Sequence, residues 1–268
     1  MKMSQGRGLA VVTGATGGIG AAICLRLQAD GYGIIAEYRS SHEKAGELGD
    51  HIRGRGTFFK AVCSDLSTPD GVKAVVRAVR ETLDDHPEYE LRALINNAAK
   101  LLGPAFGEAT VEQFDHYMAV NVRAPYFLCQ ELSPLMTAGS SIVNISSASA
   151  HFSSPGDIIY AMSKTALESL TRNMAEAIAG QGLRVNSVIP GFTDNGHPEF
   201  HDPSALEYMS SFSVLGGVAD PQVVADAVSF LVSDRANRTT GTALDVTGGS
   251  TVGARKRSVS SVRQFTEK

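Results

Sequence analysis

Residues 8–30 read GLAVVTGATGGIGAAICLRLQAD. The segment 8–14 is short and apolar, the pattern of a strand buried on both faces, and AAICLRLQAD reads as a helix. Between them stand Gly14, Gly18 and Gly20. Without a Cβ, the backbone there turns tightly and approaches a pyrophosphate, whose charge sits at the helix N-terminus. Glycine clusters are common in loops, but one that joins a strand to a helix has the context dinucleotide binding requires.

The same alternation continues along the chain. Short apolar runs (GIIAEY, TFFKAVCSD, LRALINNA, SSIVNIS, LRVNSVIP and ALDVTG) are separated by helical stretches, among them Ser41 to Arg53 and one long helix over 111–136. Strand–helix alternation implies right-handed crossovers and a mostly parallel sheet covered on both sides. The expected fold class is therefore α/β: a single-domain, Rossmann-like, doubly wound parallel sheet over residues 1–250. Residues 191–213 read as irregular, a candidate lid, and 251–268 as a basic C-terminal tail, mobile or held by a neighbouring subunit.

Composition narrows the function classes. The 268 residues carry a net charge of −4, with 43% hydrophobic and 19% charged residues. The tail holds five cations against Glu267, a net +4 that leaves −8 on the body. An acidic body argues against a nucleic-acid partner. Cys24, Cys63 and Cys129 are odd in number and scattered, so buried thiols in a reducing compartment are expected rather than a disulfide framework. With no secretory leader and no apolar run of membrane-spanning length, the expected setting is cytoplasmic, away from membranes.

TGATGGIG (13–20), NNAA (96–99) and YAMSK (160–164) occur in that order, with GxxxGxG spacing rather than GxGxxG. Over about residues 8–250 the sequence resembles the short-chain dehydrogenase/reductase family, in particular its NADPH-dependent 3-oxoacyl-carrier-protein reductase-like, or ketoreductase, branch. The resemblance implies a catalytic tetrad: Tyr160 as acid/base, Lys164 beside it, Ser147 of NISSAS holding the substrate carbonyl, and Asn121 of MAVNVRAPYF positioning a water in a proton relay. Tyr160 and Lys164, four apart on a helix, share a face. An ammonium there is expected to lower the phenol from its usual value of about 10.

For the cofactor, the resemblance assigns Gly14, Thr16, Gly18, Ile19 and Gly20 to the phosphate turn, Asp65 and Leu66 to the adenine, and Asn97, Ala98, Tyr160, Lys164, Pro190, Gly191 and Thr193 to the rest of the cofactor site. Asn96 is expected to tie the central strands together. Two positions depart from the family pattern: Ala99 stands for a usual Gly, and Asn195 for the Thr that contacts the carboxamide. At the end of the second strand, Tyr38, Arg39 and Ser40 occupy the ribose-selecting position, and Arg39 favours a 2′-phosphate, hence NADPH. A shift of one residue puts Glu37 at the ribose and leaves NADH as the alternative.

The expected reaction is reduction of a ketone to a secondary alcohol by hydride transfer. The alternatives are an NAD-dependent alcohol or diol dehydrogenase on the same scaffold, and a non-catalytic dinucleotide-binding sensor or scaffold. His151 and Phe152, Leu101 and Leu102, and His197 and Phe200 of the lid are candidate substrate-lining residues, with Tyr208 and Phe212 closing over. The partner is a small carbonyl compound, free or carrier-bound. His197 and His201 are four apart with Pro198 between them and no third ligand, so no metal is expected. The helices at 111–136 and 160–180 resemble the family's paired interface helices, which implies a homotetramer, with a dimer as the alternative.

Overall fold

The computed structural model describes residues 6–101, 103–196, 200 and 202–252; the expectations for Leu102, His197, His201 and the tail from 253 lie outside the described residues. Strands β1 (Arg7–Val12), β2 (Gly33–Tyr38), β3 (Phe59–Cys63), β4 (Tyr89–Asn96), β5 (Met136–Ile145), β6 (Arg184–Pro190) and β7 (Ala243–Val246) form one sheet. Their order is β3-β2-β1-β4-β5-β6-β7, and every pairing is parallel.

The strand sequences explain the layers. Leu9 and Val11 turn to one face of the sheet and Ala10 and Val12 to the other, all fully buried. Strands apolar on both sides need cover on both. Helices α3 (Pro69–Asp85), α5 (Ala124–Leu132) and α6 (Ile158–Ala177) pack on the first face, and α1 (Gly18–Ala29), α2 (His42–Arg53) and α8 (Pro221–Val232) on the second. β1 lies between β2 and β4, so the winding direction reverses beside it, and open α/β sheets bind ligands in the crevice at such a reversal. The glycine turn, Asn97, Ser147 and Gly191 all follow the carboxyl ends of their strands at this edge.

Two expectations are corrected. The stretch 111–136 is not one helix: α4 (Val111–Met118) passes into a π-helical turn over Ala119–Arg123, then α5, and Met136 already belongs to β5. Pro125 lacks the N–H that would close an α turn onto the Asn121 carbonyl, and the helix widens there. The lid is not wholly irregular, for α7 (Pro203–Ser210) lies within it. Its start was written in the sequence: the Asp202 side chain accepts the Ala205 N–H at 2.8 Å, and Pro203 stands in the first turn.

Candidate active site

The turn between β1 and α1 is held from the ends of β4 and β2. Asn97 donates its amide to the carbonyls of Thr13 (2.8 Å) and Gly14 (3.2 Å), and the Thr13 hydroxyl accepts the N–H groups of Asn97 and Ala98, both at 3.0 Å. From β2, the Glu37 carbonyl accepts the Ala15 N–H at 2.8 Å. Gly14 has φ +64°, and a Cβ there would stand 2.9 Å from the Ala98 Cα. A Cβ on Gly18 would meet the Asn195 backbone at 2.7 Å, so the lid crosses directly over the turn.

This turn fits a dinucleotide diphosphate. Helices α3, α4, α7 and α8 have side-chain N-caps from Thr68, Thr110, Asp202 and Asp220. α1 begins after Gly17 with no side-chain cap and no acidic residue in its first turn. Its leading N–H groups and positive dipole end therefore suit an anion. Thr16, Gly18 and Ile19 are half-buried along the turn, and Gly20 is buried.

At the end of β2, Arg39 and Ser40 are exposed, while Tyr38 is buried and its hydroxyl bonds His42 Nδ1 at 2.9 Å. Glu37 faces inward: one carboxylate oxygen accepts the Gly14 N–H at 2.9 Å and the other accepts the Ser64 hydroxyl at 3.1 Å. Burial pushes this carboxyl up to about 7, against the two hydrogen bonds, and the nearby Asp65 adds to the rise. Asp65 itself is exposed and held below the usual carboxylate range by its hydrogen bonds to Ser67. Leu66 is turned into the core.

The second half of the site gathers on β5 and α6. The Ser147 hydroxyl accepts the Ser149 N–H at 3.2 Å at the end of β5 and lies close enough to the Tyr160 phenol to favour its ionised form. Lys164, one turn after Tyr160, is buried and donates to the Ile145 carbonyl at 2.7 Å, its ammonium 5.7 Å from the Tyr160 ring centroid. Here the electrostatic expectation is reversed. Burial pushes the phenol up to about 12 and the Ser147 hydroxyl opposes the rise, while burial brings Lys164 down to about 8. The ammonium is directed at the strand-end carbonyl and the ring face, so desolvation outweighs its field at the phenol.

Asn121 is fully buried in the π turn. Its side chain bonds both the N–H and the carbonyl of Lys100, at 2.8 and 3.1 Å, and donates to the Ser163 hydroxyl at 2.9 Å. Asn96 joins β4 to β5 through Asn144 at 2.8 Å. Thr193, beyond Pro190 and Gly191, is buried, bridged to Ala219, and donates its hydroxyl to the Gly191 carbonyl at 3.1 Å. Phe152 stacks with Phe212 (5.6 Å between centroids), which also meets Phe192 and Tyr208; Phe200 is half-buried.

The family profile described as enoyl-(acyl carrier protein) reductase matches residues 14–251. The chain belongs to the short-chain dehydrogenase/reductase family. It is 32% identical to the uncharacterized oxidoreductase YgfF of Escherichia coli (strain K12), over 90% of this chain and 99% of that protein. It is 30% identical to the 3-oxoacyl-[acyl-carrier-protein] reductase FabG of Staphylococcus aureus (strain Mu50), over 93% and 99%. Among solved structures it is similar to the angucycline C-6 ketoreductase LanV with bound NADP: 36% identity, 91% and 96% coverage, TM-score 0.87. The protein is thus an oxidoreductase by family, with ketoreductases among its relatives.

One cluster escaped the sequence reading. Glu168, one turn beyond Lys164 on α6, is buried, and a single carboxylate oxygen bonds both the Ser146 hydroxyl (2.5 Å) and His151 Nε2 (2.9 Å). His151, expected to line the substrate pocket, gives its Nε2 to this carboxylate and stays exposed at the surface. The signal was the four-residue spacing from Lys164, which puts Glu168 on the same helix face.

Proposed function

We propose that this protein is an NADPH-dependent reductase that converts a ketone to a secondary alcohol. The reading rests above all on the Ser147–Tyr160 hydroxyl pair, set at the end of β5, with Lys164 pinned beneath it to Ile145. When bound, the reduced nicotinamide supplies hydride to the carbonyl carbon. Ser147 holds the carbonyl oxygen, and Tyr160 donates a proton to it as charge develops. A phenol raised to about 12 is protonated at neutral pH, the form that reduction requires. Lys164 binds the nicotinamide ribose, and Asn121 holds α6 and the Lys100 loop in place around it.

For the cofactor, exposed Arg39 and Ser40 suit a 2′-phosphate, and Glu37, the carboxylate an NADH site would need, has both oxygens turned to Gly14 and Ser64. Tyr38, Asp65, Leu66, Asn97, Ala98, Pro190, Gly191 and Thr193 complete the proposed cofactor site, and Phe152, Phe200, His151 and His197 the proposed substrate side. Residues 1–250 act as one unit. The exposed rings of Phe114, Tyr126 and Phe127, with Met162 on α6, support a homotetramer, and three free cysteines are in keeping with a cytoplasmic setting.

The test is NADPH oxidation over a ketone panel, with 3-oxoacyl thioesters and, from the likeness to LanV, polycyclic aromatic ketones. Wild type should reduce members of the panel that Tyr160→Phe leaves untouched. Equal turnover by both, or turnover by neither, overturns the reading.

A further inference from the structure

Glu37 places a carboxylate under the very turn proposed to hold a diphosphate. Among the described residues no lysine or arginine forms a salt bridge with it. Its carboxylate accepts the Gly14 N–H at 2.9 Å and the Ser64 hydroxyl at 3.1 Å, and its main-chain carbonyl accepts the Ala15 N–H at 2.8 Å. The turn 13–20 and the strand end 96–99 contribute no titratable side chain toward it. From the β3–α3 loop the charged neighbour is Asp65; on its own strand Arg39 points to solvent, its charge felt at Asp65.

We propose that Glu37 is a positioning residue for the cofactor turn and that it takes up a proton when a dinucleotide binds, which couples cofactor affinity to pH. The inference rests on the dinucleotide reading above. Protonation leaves the geometry intact: the carbonyl oxygen of the acid still accepts from Gly14, and its new O–H donates to the Ser64 hydroxyl, which rotates to accept. Only the charge disappears. Burial already brings the carboxyl to about 7, so the proton is available near neutral pH. A diphosphate at the turn is a like charge and favours the neutral acid further.

The experiment is a fluorescence titration with NADPH and with NADH, from pH 5.5 to 9, of wild type, Glu37→Gln and Ser64→Ala. Glu37→Gln keeps both hydrogen bonds without a titrating charge. The ratio of wild-type to Glu37→Gln Kd should rise from near one at pH 5.5 to about tenfold at pH 9, one unit's worth of proton affinity. Ser64→Ala, which keeps the carboxylate and removes a donor to it, should move the midpoint of the wild-type pH dependence upward. NADH carries no 2′-phosphate, so the same behaviour with NADH excludes titration of the ligand. Parallel curves for wild type and Glu37→Gln, or an unmoved midpoint in Ser64→Ala, overturn the coupling while leaving the dinucleotide reading intact. Binding of neither dinucleotide by any variant overturns both.

Discussion

The Asn121 amide donates to the Ser163 hydroxyl at 2.9 Å, and Ser163 is the residue before Lys164. The same side chain bonds both backbone groups of Lys100. Asn121 therefore joins the loop after β4 to the helix that carries Tyr160 and Lys164. Replacement by Ala removes three hydrogen bonds, one of them to the buried Ser163, so Asn121→Ala should lose about 3 kcal/mol of unfolding free energy in urea. Its kcat should fall about a hundredfold, the scale of a misplaced catalytic group. Full activity at unchanged urea midpoint would show that the clamp does nothing.

Lys164 titrates low because it is buried, at about 8. Its protonated form is the one that can hold ribose hydroxyls, so the fraction available declines as pH rises through that value. The expected profile of kcat/KM for NADPH is flat below and falls above about pH 8. Lys164→Arg cannot lose its charge in this range, and its alkaline limb should move beyond pH 10 even though its maximal rate is lower. A limb that stays in place in the arginine variant assigns it to another group.

Arg39 is exposed at the end of β2 beside Ser40. Arg39→Ala should weaken NADPH binding about ten- to a hundredfold, the worth of a hydrogen bond to a charged group, and leave NADH binding within a factor of two. Equal loss for both dinucleotides would remove Arg39 from the 2′-phosphate.

The layers of the fold could be read directly because β1 and β2 are apolar on both faces, and parallel sheets demand that pattern. The turn–helix signal at 13–20 and the Tyr160–Lys164 spacing are local and were equally plain. What could not be read depends on contacts distant in sequence. Glu37 entered the sequence reading only as the alternative ribose ligand, and its hydrogen bond from the Gly14 N–H, 23 residues away, is not visible in a local pattern. The desolvation that raises Tyr160 and lowers Lys164 is set by the whole packed site, whereas a four-residue spacing reports only that two charges are near. The π turn at Asn121 and the start of α7 at Pro203 were written locally, in Pro125 and in the Asp202–Pro203 pair, and were missed.

Glu168 bonds Ser146 and His151, which flank Ser147 on both sides. Loss of the carboxylate frees both ends of the segment that presents the Ser147 hydroxyl. Glu168→Ala should lower kcat about ten- to a hundredfold with NADPH Kd changed much less, because of the proposed cofactor residues only Tyr160 and Lys164 share its helix. Glu168→Gln retains an acceptor and should recover most of the loss. A drop in NADPH affinity as large as the drop in kcat would instead indicate general loosening of α6.

The buried Glu37 also makes a claim on stability that requires no cofactor. Its carboxyl is near 7 when folded and takes the ordinary value, 4.5, when unfolded. Between those values the folded state binds more protons than the unfolded one, so the residue costs stability progressively as pH rises through that window, and fully above it. The difference corresponds to about 3 kcal/mol at most. Glu37→Gln has no such titration. Its unfolding free energy relative to wild type should therefore grow from pH 4.5 to about 7 and level off by pH 8, measured by urea melts at fixed ionic strength. A difference that is constant across that range would mean the carboxylate titrates alike in both states, and that the Gly14 and Ser64 hydrogen bonds fully offset its burial.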